Sequence, residues 1–236
     1  MGGMRASRRL FGSCRGGVGR CCGSGGRCSC IYLKFAEQSI QEEALLTGLL
    51  EPTNKWYEIA KIRVMELSAT LRKDHGLHAI LPMPTSLCSL VVKDHPQNSQ
   101  MLQALIRRFH EAADAKAPSV TCWGSGSPLR EFLHVDDLGE ACVFALERWQ
   151  PGAEEPQFLN VGTGVDLSIR KIAESVAQVT GFTGAIHWDP SKPDGTPKKQ
   201  LDVSRMTPLG WRARIPLAEG LTSTVAGFVA QGAERL

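Results

Sequence analysis

The sequence predicts an α/β fold with a partly parallel sheet, and three observations carry that prediction. Short apolar runs such as LHAILPMPTSL and QFLNVGTG have the length and bounding turns of buried strands. Between them lie segments with apolar residues at helical spacing. The two kinds alternate along the chain, the pattern of helices laid against a parallel sheet.

Each element has its own warrant. CIYLKF is apolar enough to finish a strand. In EEALLTGLLEPTNKWYEIAKIRVMELSATLRKDHG a loop leads into a helix. Thr53 or Asn54 is the candidate cap, and Ile59, Ile62, Val64, Met65, Leu67 and Leu71 lie near helical spacing. Gly76 supplies the stop. LHAILPMPTSL is a buried strand. SQMLQALIRRFHEAADAK is a helix with Met101, Leu102, Leu105, Ile106 and Phe109 on its apolar side. SVTCWGSGSPLREFLHVDDLGEACVFALERW gives a strand, a Gly-rich turn, a second strand and a helix starting near Asp136–Asp137. QFLNVGTG and LSIRKIAESVAQVTG add a strand and an amphipathic helix. No internal repeat is present.

Composition narrows the function. With 236 residues, 42% hydrophobic and 22% charged, the chain holds enough apolar material for a core. The net charge of +3 is small and uneven. Met1 to Ala36 carries six Arg, one Lys and no acid, so the remainder is slightly acidic and offers no general basic face for nucleic acid. No apolar run has the length of a membrane span, and no secretory signal pattern stands at the start. Residues 1–27 are Gly-, Arg-, Cys- and Ser-rich with no core pattern, and are expected to be disordered or non-native. Their composition also suits an organelle transit peptide; otherwise the expected location is cytoplasmic. Cys14, Cys21, Cys22, Cys28 and Cys30 contain no CxxC pair, so no metal site is expected. Cys88, Cys122 and Cys142 stand singly, as reduced core thiols do.

The first chemical signal is Tyr57-x-x-x-Lys61. One helical turn separates the two, so they share a face. An ammonium beside a phenol favours the phenolate, and a phenol of lowered pKa suits proton transfer at a carbonyl carbon receiving hydride.

The strings EPTNKWYEIAKI, NSQMLQALIRRFHEA, WGSGSPLREFLHVDDLGEACVFALE, FLNVGTG and IHWDPSKPDGTPKKQLDVSRMTPLGW resemble the extended short-chain dehydrogenase/reductase superfamily, and within it the GDP-L-fucose synthase family. The resemblance runs from about Cys28 to the C-terminus. It implies a Rossmann-like NAD(P)-binding fold lacking its first strands, residues 28–150 forming the Rossmann-like part and 151–236 mainly a substrate-binding part. It implies NADPH as cofactor, GDP-4-keto-6-deoxy-D-mannose as substrate and GDP-L-fucose as product. It also implies a homodimer paired through the Tyr57 helix, with no nucleic-acid or membrane partner.

By position, the resemblance makes Tyr57 the proton donor and Lys61 its tuning group and a ribose ligand. Cys30 takes an acid/base position, and Ser29, Pro84, Thr85, Ser86 and Leu87 lie along the cofactor. Arg108, Trp123, Arg130 and Asp194 take substrate-binding positions. Departures are equally specific. Cys28 stands where the family has a catalytic Ser, and a thiol is a weaker donor than a hydroxyl. Gln100 stands where the family has the His that partners the Cys, and an amide exchanges no proton near neutral pH; His95 matches another position. SLCSLVVKDH replaces a Gly- and Pro-containing loop of the family. The strand, Gly-rich turn and helix that bind the dinucleotide pyrophosphate have no expected counterpart. Gly17, Gly19 and Gly23 neither follow an apolar strand nor open a helix. The expectation is therefore weak NADPH binding, and a second reading is a catalytically inactive truncated homologue.

Overall fold

The computed structural model describes residues 20–22, 29–33, 35–52, 55–76, 78–88, 101–152 and 156–233. The chain divides into two compact units, each assembled from separated stretches. Unit 1 takes residues 1–85, 136–164 and 201–213; unit 2 takes 86–135, 165–200 and 214–236. The expected boundary between residues 150 and 151 does not coincide with this division, because residues 86–135 go with unit 2.

Unit 1 is built on a parallel sheet of three described strands, ordered β1 (Arg20–Cys22), β2 (His78–Pro84) and β6 (Phe158–Val161). β1 pairs in parallel with β2, Arg20 opposite His78 and Cys22 opposite Ile80. This short strand lies inside the segment expected to lack structure; the rest of residues 1–27 lies outside the described residues. β2 also pairs in parallel with β6, Met83 opposite Asn160. Parallel neighbours require a crossover, which helix α1 (Lys55–His75) supplies between β1 and β2.

Helix α1 ends as expected, Gly76 taking a left-handed φ of +67° with its amide bonded to the Arg72 carbonyl. Its apolar content is only partly inward. Ile62 and Met65 are buried, whereas Ile59, Val64 and Leu67 are exposed. CIYLKF is not a strand end: residues Ser29–Ile31 form a 3-10 turn. A short apolar run has no period of its own, so a buried turn and a buried strand read alike. Ile31 and Tyr32 are fully buried and join Ile40, Ile62, Met65, Leu81, Met83 and Leu201 in the core of this unit.

That core contains a polar hub. The Tyr32 hydroxyl donates to Asn160 Oδ1 (2.7 Å), Asn160 Nδ2 donates to the Ile40 carbonyl (2.9 Å), and the Asn160 amide donates to Glu42 Oε1 (2.9 Å). Arg205 approaches the other oxygen of Glu42 at 3.5 Å and also pairs with Glu43. Helix α3 (Val135–Arg148) and the short helix α5 (Met206–Leu209) belong mainly to this unit.

Unit 2 packs helices α2 (Met101–Asp114), α4 (Ile169–Thr180) and α6 (Leu217–Ala233) around one apolar cluster. Leu102, Leu105, Ile106 and Phe109 face inward from α2, as their spacing predicts. From α4 come Ile172, Ala173 and Val176; from α6, Leu221 and Val225. Helix α4 is closed at both ends by its own sequence. Ser168 Oγ accepts the Lys171 amide, and Gly181 takes the left-handed cap position at φ 74°. The strands are β3 (Ser86–Cys88), β4 (Ser119–Trp123), β5 (Leu129–His134), β7 (Asp166–Ser168), β8 (Ala185–Asp189) and β9 (Lys198–Lys199). β5 runs parallel to β3 and β9 and antiparallel to β7. β4 pairs in parallel with β8, setting Trp123 opposite Asp189. Cys88, Cys122 and Cys142 are buried and in no disulfide, the state expected for single core thiols.

Candidate functional site

The expected residues fall into two groups, one in each unit. In unit 1, Tyr57 and Lys61 lie one turn apart near the start of α1. Lys61 Nζ stands 5.1 Å from the centre of the Tyr57 ring. The ammonium thus sits over the ring face. The expected lowering of the Tyr57 pKa is not what results: partial burial pushes this phenol above its ordinary value. Tyr57 remains 41% exposed.

Ser29 is buried and opens the 3-10 turn, its carbonyl accepting the Tyr32 amide at 3.2 Å. The backbone of Cys30 lies in the same turn. Pro84 ends β2, and Thr85 is buried with its amide donating to the Val161 carbonyl at 3.0 Å. Ser86 and Leu87, half-buried, begin β3 in unit 2. Cys28, His95 and Gln100 lie outside the described residues.

In unit 2, Trp123, Arg130 and Asp194 are gathered around one turn, WGSGSPLR, which joins β4 to β5. Trp123 ends β4 with 66% of its surface exposed, and Lys192 Nζ lies 5.8 Å from its ring centre. Arg130 is half-buried on β5 and donates from Nη1 to the Leu129 carbonyl at 2.7 Å. Burial lowers its pKa from the usual guanidinium value. Gly195 runs beside that guanidinium: a Cβ there would stand 3.8 Å from Nη2, and its φ of +75° favours glycine. Arg108 is exposed on α2 and donates to the Thr121 carbonyl at 2.8 Å, two residues before Trp123.

Asp194 spends both carboxylate oxygens on Ser125. Oδ1 accepts the Ser125 amide at 2.7 Å, and Oδ2 accepts its hydroxyl at 2.8 Å. The approach is close enough to exclude any side chain at Gly124, where a Cβ would fall 2.2 Å from Oδ1. Arg170, from α4, donates to the Ser125 carbonyl at 2.7 Å while its guanidinium lies 4.8 Å from the Trp188 ring centre. Sequence reasoning did not single out Ser125, Arg170, Trp188 or Lys192. Ser125 and Asp194 are 69 residues apart, and neither has a periodicity that links it to the other.

Among the described residues no cluster of three or more His, Cys, Asp or Glu is placed to hold a metal ion. No helix among them is long and apolar enough to cross a membrane.

A sheet of parallel strands with crossover helices and a Tyr-x-x-x-Lys pair near a helix start is the arrangement of the extended short-chain dehydrogenase/reductase fold. The model of the NAD dependent epimerase/dehydratase family matches residues 7–162, and the chain belongs to that family. Within it, the chain is similar to GDP-L-fucose synthases. It is 50% identical over 201 residues to "Probable GDP-L-fucose synthase 1" of Oryza sativa subsp. japonica, covering 85% of this chain and 60% of that protein. It is 46% identical over 206 residues to the GDP-L-fucose synthase of Escherichia coli, covering 85% and 64%. The chain thus spans about 60% of the length of the plant relatives it matches. Among solved structures, a GDP-6-OMe-4-keto-L-xylo-heptose reductase from Campylobacter jejuni superposes with a TM-score of 0.81 at 25% identity, over 90% of this chain and 70% of that one. A GDP-L-fucose synthetase from Naegleria fowleri shares the fold, with a TM-score of 0.77 at 21% identity, over 91% and 65%. The family match reaches back to residue 7, ahead of Cys28, where the resemblance in the sequence strings begins.

Proposed function

We propose that the protein serves the GDP-L-fucose synthase reaction: the NADPH-dependent epimerisation and reduction of GDP-4-keto-6-deoxy-D-mannose. The observation that carries this reading is the Tyr57–Lys61 pair, held on one accessible face of α1 in a chain 46–53% identical to proteins named for that activity. The nicotinamide end of a dinucleotide fits these residues. Lys61 supplies a cation next to Tyr57, and Ser29 opens the 3-10 turn that continues into Cys30. When bound, the cofactor supplies a hydride.

Tyr57 donates the proton to the carbonyl oxygen. The phenol is protonated near neutral pH, the form a proton donor requires, although burial raises its pKa and so makes it a weaker acid. Lys61 holds positive charge next to the ring and stabilises the phenolate left behind. Cys30 exchanges the protons flanking the ketone, with Gln100 in the position of its family partner and Cys28 in that of the family's catalytic Ser. On the substrate side Trp123 presents an exposed indole face, and Arg130 presents a partly desolvated guanidinium suited to a pyrophosphate. Arg108 stands on α2 as a further cation for the same ligand. Two copies pairing through α1 complete the proposed assembly, in a cytoplasmic setting.

The test is product analysis by NMR after incubation of the chain with GDP-4-keto-6-deoxy-D-mannose and NADPH in heavy water. Tyr57→Phe should lower the reduction rate about 10²–10⁴-fold, the usual worth of a general acid. With Gln100 in place, reduction should outrun deuterium uptake at the flanking carbons, and Gln100→His should restore that uptake. A wild-type chain that neither reduces nor exchanges would sink the proposal in favour of an inactive homologue.

A further inference from the structure

Asn160 on β6 joins two parts of the proposed site within unit 1. Its side-chain oxygen accepts the Tyr32 hydroxyl at 2.7 Å, and its side-chain nitrogen donates to the Ile40 carbonyl at 2.9 Å. Its amide donates to Glu42 Oε1 at 2.9 Å. Burial first, and then the nearby Glu42, push the Tyr32 phenol above its ordinary pKa, so it stays a donor. With a donor on one side and a carbonyl on the other, the Asn160 amide can face only one way round. Two features of the site hang on this stretch of β6. Tyr32 closes the 3-10 turn Ser29–Ile31, its amide donating to the Ser29 carbonyl at 3.2 Å, and that turn holds the Cys30 backbone. The next residue, Val161, accepts the Thr85 amide at 3.0 Å, at the strand end expected beside the nicotinamide.

Stability alone does not call for a polar pair here. Replaced by two apolar groups of like shape, a buried hydrogen bond of this kind is lost at little cost. What the pair adds is direction. The Ser29–Ile31 turn is three residues long and belongs to none of the described sheets. Ile31 and Tyr32 share an apolar cluster with Ile62 and Met65 of α1, the helix that carries Tyr57 and Lys61. Apolar packing by itself tolerates small shifts of such a turn. A 2.7 Å bond to an asparagine whose orientation is already fixed does not.

We propose that Asn160 and Tyr32 are positioning residues for the proton exchange assigned to Cys30: the bond between them sets the Ser29–Ile31 turn against the sheet, so that Cys30 meets the carbons flanking the ketone. Both residues are wholly buried and act through the turn, not on the ligand. The proposal rests on the function proposed above. It separates the two halves of that chemistry, because the proton donor of the reduction, Tyr57, stands on α1 and not on the turn.

The thiol of Cys30 reports on the turn without any need for turnover. The full chain is treated with iodoacetamide, and tandem mass spectrometry times alkylation at each cysteine. Tyr32→Phe keeps the ring and removes only the hydroxyl. It should speed Cys30 alkylation about 5-fold, the opening expected when one hydrogen bond of ordinary net strength is lost. Asn160→Ala should speed it at least as much. Ala145→Gly, in α3 of the same unit, lowers stability on a similar scale away from the turn and should leave Cys30 at its wild-type rate. The second readout is turnover in heavy water in the Gln100→His background. There Tyr32→Phe should lower deuterium uptake at the flanking carbons about 10-fold, against less than about 2-fold in reduction. Unchanged Cys30 alkylation, equal acceleration by Ala145→Gly, or a parallel fall in exchange and reduction would each overturn the proposal. A chain that shows no exchange even with Gln100→His sinks the assignment to Cys30 instead, and the alkylation rates then decide alone whether the bond sets the turn.

Discussion

Asn160→Ala tests how the first half of unit 1 is held to its sheet. Asn160 is wholly buried on β6, and its side chain makes two bonds across more than a hundred residues of sequence, to the Tyr32 hydroxyl and the Ile40 carbonyl. Alanine leaves both groups without that partner in a site closed to water. The Ile40 carbonyl keeps the Asp202 amide as a donor, so the loss falls on the Tyr32 hydroxyl, and a buried polar group left unpaired costs about 1–3 kcal/mol. Against the roughly 5–15 kcal/mol of a whole domain, that is a measurable share of the stability. Urea unfolding followed by far-UV circular dichroism measures it as a fall in midpoint with the slope retained. Tyr32→Phe leaves only the Asn160 oxygen short of a donor and should cost about 1–3 kcal/mol. In the Tyr32→Phe background the Asn160→Ala change should cost about 1 kcal/mol or more less, because no hydroxyl remains to be orphaned. A loss under about 1 kcal/mol for Asn160→Ala, or strict additivity with Tyr32→Phe, would refute the claim that this residue ties the turn carrying Ser29 and Cys30 to the sheet.

Two further predictions concern the rest of the molecule. At Gly184 a Cβ would fall 2.6 Å from both the Phe182 ring and the Pro118 carbonyl and 2.8 Å from the Ala117 carbonyl, so Gly184→Ala should destabilise by about 1–3 kcal/mol in the same urea assay. Burial raises the pKa of Glu42 above its ordinary 4.5, so the native state holds that proton longer than the unfolded chain does. Stability should then fall as pH rises from 4.5 through the raised value, and Glu42→Gln should remove this fall. A stability difference between Glu42→Gln and wild type that stays flat or shrinks with rising pH would contradict the assignment.

Local chemistry made much of this fold legible. The amphipathic stripe of Leu102, Leu105, Ile106 and Phe109 places α2, and Ser168 with Gly181 brackets α4. Helix α6 was harder to read because its glycines and β-branched residues are poor helix formers, although Leu217, Leu221, Val225 and Phe228 follow one another at intervals of four, four and three residues. CIYLKF misled because burial, not extension, makes it apolar: Ile31 and Tyr32 are core residues of a turn. At the site, the Tyr57–Lys61 spacing fixed which groups share a face, while the pKa direction depended on burial that spacing does not report. Ser125, Arg170 and Asp194 were illegible as a set, since contacts spanning 45 and 69 residues leave no local pattern.

The interleaving of the two units bears on how the chain is made. Ile40 bridges to Leu201, the Asp202 amide bonds to the Ile40 carbonyl, and Leu201 sits in the same core as Ile31 and Tyr32. The first unit to begin emerging from a ribosome therefore cannot close until residues 201–213 have followed it out, by which time the central stretch of the second unit has already been synthesised. During that interval the apolar side of the Ser29–Ile31 turn and Ile40 wait without Leu201, exposed to chaperones and proteases alike. Synonymous codons that slow translation before residue 201 should lengthen that wait and lower the yield of soluble chain without changing one amino acid.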